Sequence, residues 1–127
     1  MQFAESHRLE TYKSLVAISI EAFKALQLVN GAAIVVLLGY LGQVSGRAAL
    51  AGRMLCPLVM FILGLTLGTI AFATSYLTQF ALFNESVPGY RGRPHTWWLW
   101  WTFGIALSSL VTFAVGAVKA VLVLSTA

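Results

Sequence analysis

The chain of 127 residues is 59% hydrophobic and only 9% charged, its eight basic and four acidic residues giving a formal net charge of +4. A soluble domain carries about 25% charged residues, and one this small leaves too much surface exposed to hide so apolar a composition. The basic excess suits anionic headgroups and membrane topology. With no basic cluster longer than Arg91-Gly-Arg93, nucleic acid is not expected as a partner.

Residues 1–24 predict an amphipathic N-terminal helix that is not itself a span. At 100° per residue, Glu10, Lys13, Glu21, Lys24 and Gln27 fall within an arc of about 120°, beside an apolar stripe of Leu9, Tyr12, Val16, Ile20 and Phe23. The mixture of charges through this segment, Glu5 and Arg8 included, does not read as a secretory signal. A first transmembrane helix is expected over 25–42. Positions 9, 12, 16, 19, 23, 26, 30, 33, 37 and 40 follow a heptad seam, so the two segments are read as one long helix ending near Gly42, with Asn30-Gly31 as the place for a bend.

Residues 43–55 read as a Gly-rich connection carrying Arg47 and Arg53. Pro57 suits the first turn of a second transmembrane helix over 57–83. Val87-Pro88-Gly89 signals a turn. Thr96 is a candidate N-cap for a third helix over 97–120, which opens on Trp97, Trp98, Trp100 and Trp101, an aromatic belt at headgroup level. Each apolar run crosses or nearly crosses a hydrocarbon layer of roughly 30 Å at about 1.5 Å per residue. The fold class is all-α: a polytopic membrane protein of three transmembrane helices preceded by an amphipathic N-terminal helix. Lys24, the 79–84 region and the tryptophans mark one face of the bilayer; Gly42, Pro57 and Lys119 mark the other. Arg8, Lys13, Arg91 and Arg93 outweigh Arg47 and Arg53, which places the N-terminus in the cytoplasm by the positive-inside rule.

Helices associate in lipid through close packing and polar contacts. The third helix supplies Gly104, Ser108, Thr112, Gly116 and Ala120 at i,i+4 spacing, and the second supplies Gly64 and Gly68. These residues are read as helix packing, within the chain or between copies. Glu10, Lys13, Glu21, Lys24, Gln27 and Asn30 form a polar stripe that either bonds helices together or lines a water-filled path. An ionised group at the bilayer centre costs at least about 2.5 to 3.5 kcal/mol, so the depth of Glu21 and Lys24 matters. A span beginning at Ala25 leaves both at the interface; one beginning at Leu15 submerges them. Arg91 and Arg93 beside Trp97, Trp98, Trp100 and Trp101 suit an anionic lipid headgroup or plain topological anchoring.

With one cysteine, two separated histidines and no aspartate, no metal centre is expected, and no cofactor motif occurs. No nucleophile elbow or zincin motif suggests an enzyme.

The stretch from Glu21 to Ala33 (EAFKALQLVNGAA) and Ser75-Tyr-Leu-Thr-Gln79 resemble a widespread type of small, uncharacterised bacterial membrane protein, with Ala32 standing where that pattern often has a second glycine. The resemblance covers the first two spans better than the third. It implies a bacterial inner-membrane location and brings no activity. Size and span number also look loosely like phage holins, without a shared motif. The expected function is a homo-oligomeric assembly in the lipid bilayer with the polar stripe facing an aqueous lumen, in effect a pore. The alternative is a non-catalytic accessory subunit of a larger membrane complex; a transporter would need repeats that are absent.

Overall fold

The computed structural model describes residues 2–44, 46, 48–89 and 91–126, and of residues 2–5, 8 and 48 the backbone alone. Arg47 therefore lies outside the described residues. Three helices account for nearly all of the rest: α1, Gln2–Gln43; α2, Ala48–Glu85; and α3, His95–Ser125. All three are long and apolar enough to cross a membrane, over Leu9–Gln43, Ala49–Glu85 and His95–Ser125. Large apolar side chains such as Leu28, Val35, Val36, Phe83 and Trp100 point away from the protein on every helix. Water would penalise that arrangement and lipid would not. The chain is an all-α, multi-pass membrane protein.

α2 is the central helix. α3 packs along most of its length, α1 packs beside it, and α1 and α3 barely touch. The buried positions recur in steps of seven: Phe23, Asn30 and Leu37 on α1, and Thr102, Ser109 and Gly116 on α3. On α2 they alternate in steps of four and three through Leu50, Met54, Pro57, Phe61, Gly64, Gly68 and Ala71. A repeat of 3.5 keeps one seam facing its neighbour over a long helix, the geometry of shallow left-handed crossings. At one end Leu37, Met54 and Phe61 form an apolar cluster covered by Tyr40, Phe113, Ala117 and Val123. The Phe61 and Phe113 rings lie 5.5 Å apart there, and Phe23 meets Phe72 edge-on at 6.0 Å nearer the middle.

Two local expectations are corrected. α2 begins at Ala48, so Pro57 sits inside the helix instead of in its first turn. Ala, Leu, Met and Arg favour helix across 48–56, and Leu50 and Met54 there are buried on the seam. A proline within a membrane helix is tolerated where neighbouring groups cover the freed carbonyl. Pro94, not Thr96, occupies the N-cap of α3, and its carbonyl accepts from the Trp97 N–H at 3.0 Å. Between α2 and α3 the chain turns through Gly89, whose φ of +89° is one that L side chains rarely adopt.

Candidate functional site

The polar stripe of α1 divides between two faces. Asn30 is fully buried and Gln27 half-buried, both turned toward α2, whereas Glu10, Lys13, Glu21 and Lys24 are exposed. Asn30 sits where the three helices converge. Its Nδ2 donates to the Leu26 carbonyl at 2.9 Å, and its Oδ1 is buried with no hydrogen-bond partner among the described residues. That oxygen lies against Gly64 at the place where a β-carbon would stand, with Thr112 Oγ1 close by. Only a Cα–H bond from glycine allows this approach, and such a hydrogen is a weak donor in its own right. From the other side Ser109 Oγ donates to the Gly64 carbonyl at 2.7 Å. Gly68 is bordered by Ser109, Leu26 and Gln27. Gly116 lies against Met60 and the Phe61 ring.

Gly104 and Ser108 do not share this contact. Both are exposed, and a β-carbon on Gly104 would meet open space. The reason is angular: four residues turn through about 400°, so an i,i+4 stripe drifts by about 40° per step and winds off the seam over three steps. Thr102, Ser109 and Gly116, seven apart, stay on it. That spacing was the sequence signal for the residues missed, Thr102 and Ser109. Thr102 Oγ1 lies 3.0 Å from Thr74 Oγ1 and 3.5 Å from Thr78 Oγ1, and makes a second polar node between α2 and α3.

The ends of the bundle are tied by polar pairs. Arg53 donates to Thr126 Oγ1 at 2.6 Å, and Lys119 Nζ lies 3.3 Å from Cys56 Sγ. At the other end the Glu85 carboxylate accepts from the His95 backbone N–H, and its second oxygen lies 2.7 Å from His95 Nδ1. A carboxylate suits the free N–H groups of a helix start, and here it clamps the last residue of α2 to the first of α3. Tyr12 donates to Gln79 Oε1, joining α1 to α2 near this end. Arg93 stacks over Trp97 at 5.1 Å, Trp97 and Trp101 are 6.1 Å apart, Trp98 is half-buried, and Arg91 and Trp100 are exposed.

These contacts set levels along the bundle. On α2 the uncharged stretch between Arg53 and Glu85 has its midpoint at Thr69. On α3 the stretch between Trp97 and Lys119 has its midpoint at Ser108. Ser109 borders Gly68, so the two midpoints coincide to within about one turn. α1 reaches the same level through Leu26 and Gln27, which border Gly68. Lys24 and Glu21 are therefore only about 3 and 8 Å along the axis from the bundle's middle, which corrects the expectation that Lys24 shares the level of the tryptophans. They form a 2.8 Å ion pair, with side chains 66% exposed for Lys24 and 71% for Glu21. No family model, curated protein or solved structure matches the chain.

Proposed function

We propose that the protein is a subunit of a homo-oligomeric assembly in a bacterial inner membrane, with a cytoplasmic N-terminus. The uncovered face of α1 turns toward the other copies around a shared axis. The observation that carries this reading is the outward ion pair of Glu21 and Lys24 at the middle level of the bundle. A hydrocarbon core of about 30 Å centred on that level ends near Trp97 on one side and Lys119 on the other. Charged groups at such a depth belong against protein or water, not lipid.

The N-terminal 24 residues are then the amphipathic part of α1, with Glu10, Lys13, Glu21 and Lys24 lining a water-filled vestibule. Beyond Lys24 the same face continues as Leu28, Gly31 and Val35. The vestibule leads to an apolar constriction of the kind that gates by dewetting, and the assembly is an ion-conducting pore. Reconstitution tests this directly. Purified protein in planar bilayers should carry discrete currents, and Glu21→Gln should change their ion selectivity. Uniform oligomers that carry no current at any voltage would remove the conducting part of the reading.

A second reading, a non-catalytic accessory subunit packed on a larger complex, is favoured by a different surface. An open groove of about 580 Å³ runs past Leu67, Trp97, Trp101, Gly104 and Ser108, and the two small residues leave room there for a helix from another protein. Protein that is monomeric alone and co-purifies with one membrane partner would support this reading over the first.

A further inference from the structure

We infer that the open groove beside the tryptophans holds an acyl chain of an anionic phospholipid, whose phosphate rests on Arg93 at the groove's mouth. The groove is lined by α2 and α3 alone, so the inference is independent of the pore reading. It gives to a lipid the space that a partner helix fills in the second reading. Depth selects an acyl chain. On α3 the lining runs from Trp97, at headgroup level, to Ser108, at the middle level of the bundle, a rise of about 16 Å. The hydrocarbon of one leaflet is about 15 Å thick, half of the core. Beyond Ser108 the same face of α3 carries Val111 and Val115, both exposed, in place of small residues. The room therefore stops where one leaflet stops, whereas a transmembrane helix packed there needs it across both. The lining also offers little to a polar partner, because Ser108 Oγ donates to the Gly104 carbonyl on its own helix at 2.8 Å.

Charge selects the headgroup. Arg93 stacks over Trp97 at 5.1 Å, and Trp97 lines the mouth of the groove. Arg93 also walls a smaller hollow of about 280 Å³ over Leu77, Phe80, Ala81 and Trp98. It thus stands between two apolar recesses, an arrangement that suits a phosphate carrying two chains. Glu85 is the only acidic residue in the sequence after Glu21, and its carboxylate is taken by His95. Neither Arg91 nor Arg93 has an ion-pair partner among the described residues. A guanidinium offers phosphate two parallel N–H donors, and unpaired arginines at headgroup level attract anionic lipid. A zwitterionic lipid brings its own cation to the same place and gains less.

Tryptophan quenching in vesicles tests the proposal, since all four tryptophans lie at this end of the chain. The full chain is reconstituted in phosphatidylcholine containing a rising fraction of phosphatidylglycerol or phosphatidylcholine brominated on the acyl chains. Half-maximal quenching by the phosphatidylglycerol should come at about a fivefold lower mole fraction, the preference that one arginine near the membrane surface supplies. Arg93→Gln should erase that preference. Gly104→Leu keeps every charge and should erase it too, by filling the groove. Val118→Leu, exposed and beyond the groove, should leave it unchanged. Inorganic phosphate added to the wild type should not relieve the quenching, because the chain holds the lipid as well as the headgroup. Equal quenching by the two lipids in the wild type would overturn the proposal. A preference that survives Gly104→Leu would overturn the groove and leave only surface charge. In native membranes, Ser108→Cys in a Cys56→Ala background should not cross-link to protein. Cross-linking to another protein or a second copy would give the groove to a helix and end the lipid assignment.

Discussion

Along α1, the positions Phe23, Asn30 and Leu37 and the positions Ala17, Lys24 and Gly31 repeat with the same seven-residue step, roughly 100° apart around the helix. The first set is buried against α2, and its polar member sits at a three-helix node. In the second set Ala17 and Lys24 are exposed, Gly31 has open space beside it, and Lys24 is bonded to Glu21 on its own helix. The same difference divides α3, where Thr112 and Gly116 pack inward while Gly104 and Ser108 look out. Polarity and small size thus have two uses in this chain. On the inner faces they let helices approach within the monomer, and on the outer faces they are left for something beyond it.

The largest effect should come from filling an inner glycine. A β-carbon at Gly64 would collide with Asn30 Oδ1 while the Gly64 carbonyl is held by Ser109, so the backbone has no free direction to retreat. Gly64→Leu should cost the upper end of the roughly 1 to 3 kcal/mol typical of overpacking, read as a lower thermal midpoint in detergent. Gly116→Leu, pressed against Met60 and Phe61, should follow it. Gly31→Ala, on the outer face, should leave the monomer as stable or raise it by about 0.5 to 1 kcal/mol, since alanine is the better helix former. Equal losses at Gly64 and Gly31 would erase the distinction between the faces.

Next in size are substitutions that spare the monomer and touch only what lies outside it. Lys24→Leu should leave the thermal midpoint of the detergent-solubilised monomer within about 0.5 kcal/mol of wild type, as for exposed sites generally. It should still reduce the mass of the assembled species, because Glu21 loses its counter-charge. Gly104→Leu should likewise be silent in the monomer, and a change in assembly or partner capture would give the open groove beside the tryptophans a use of its own. A drop in monomer stability from either would mean that the outer faces already make contacts within the chain.

How much of this was legible depended on periodicity. The seam from position 9 to position 40 is written in the sequence as a heptad; its positions 23, 26, 30, 33, 37 and 40 are buried or half-buried in the structure, whereas Leu9, Tyr12 and Ser19 are exposed. Periodicity misled on α3, where the eye follows small residues at i,i+4 while packing follows i,i+7. Composition misled at 43–55, because Gly46 and Gly52 suggest a loop although the alanines and leucines around Gly52 continue α2. The depth of Glu21 and Lys24 was open because hydropathy alone lets a long apolar helix slide. It narrows only when Leu26 and Gln27 are seen beside Gly68, a fact about another helix. The Glu85 clamp on His95 joins residues across a turn, and no local pattern announces it.

The smallest predicted effects separate the members of the three-helix node. Ser109 is fully buried and donates to a carbonyl on another helix, so Ser109→Ala removes one interhelical hydrogen bond and should cost about 0.6 kcal/mol, at most about 1.7. Asn30 differs although it is equally buried. Its amide nitrogen bonds its own helix, and its oxygen has no hydrogen-bond partner among the described residues, so its polar group contributes little beyond shape. Asn30→Leu keeps nearly the same outline, removes the unpaired oxygen, and should fall within about 1 kcal/mol of wild type in either direction. Thermal midpoints of Ser109→Ala, Asn30→Leu and the double variant should then be close to additive. A large loss in Asn30→Leu alone would mean that Oδ1 is satisfied in the membrane by a water or by a group on another copy. That outcome would move Asn30 from the inner face's packing into the assembly's polar path.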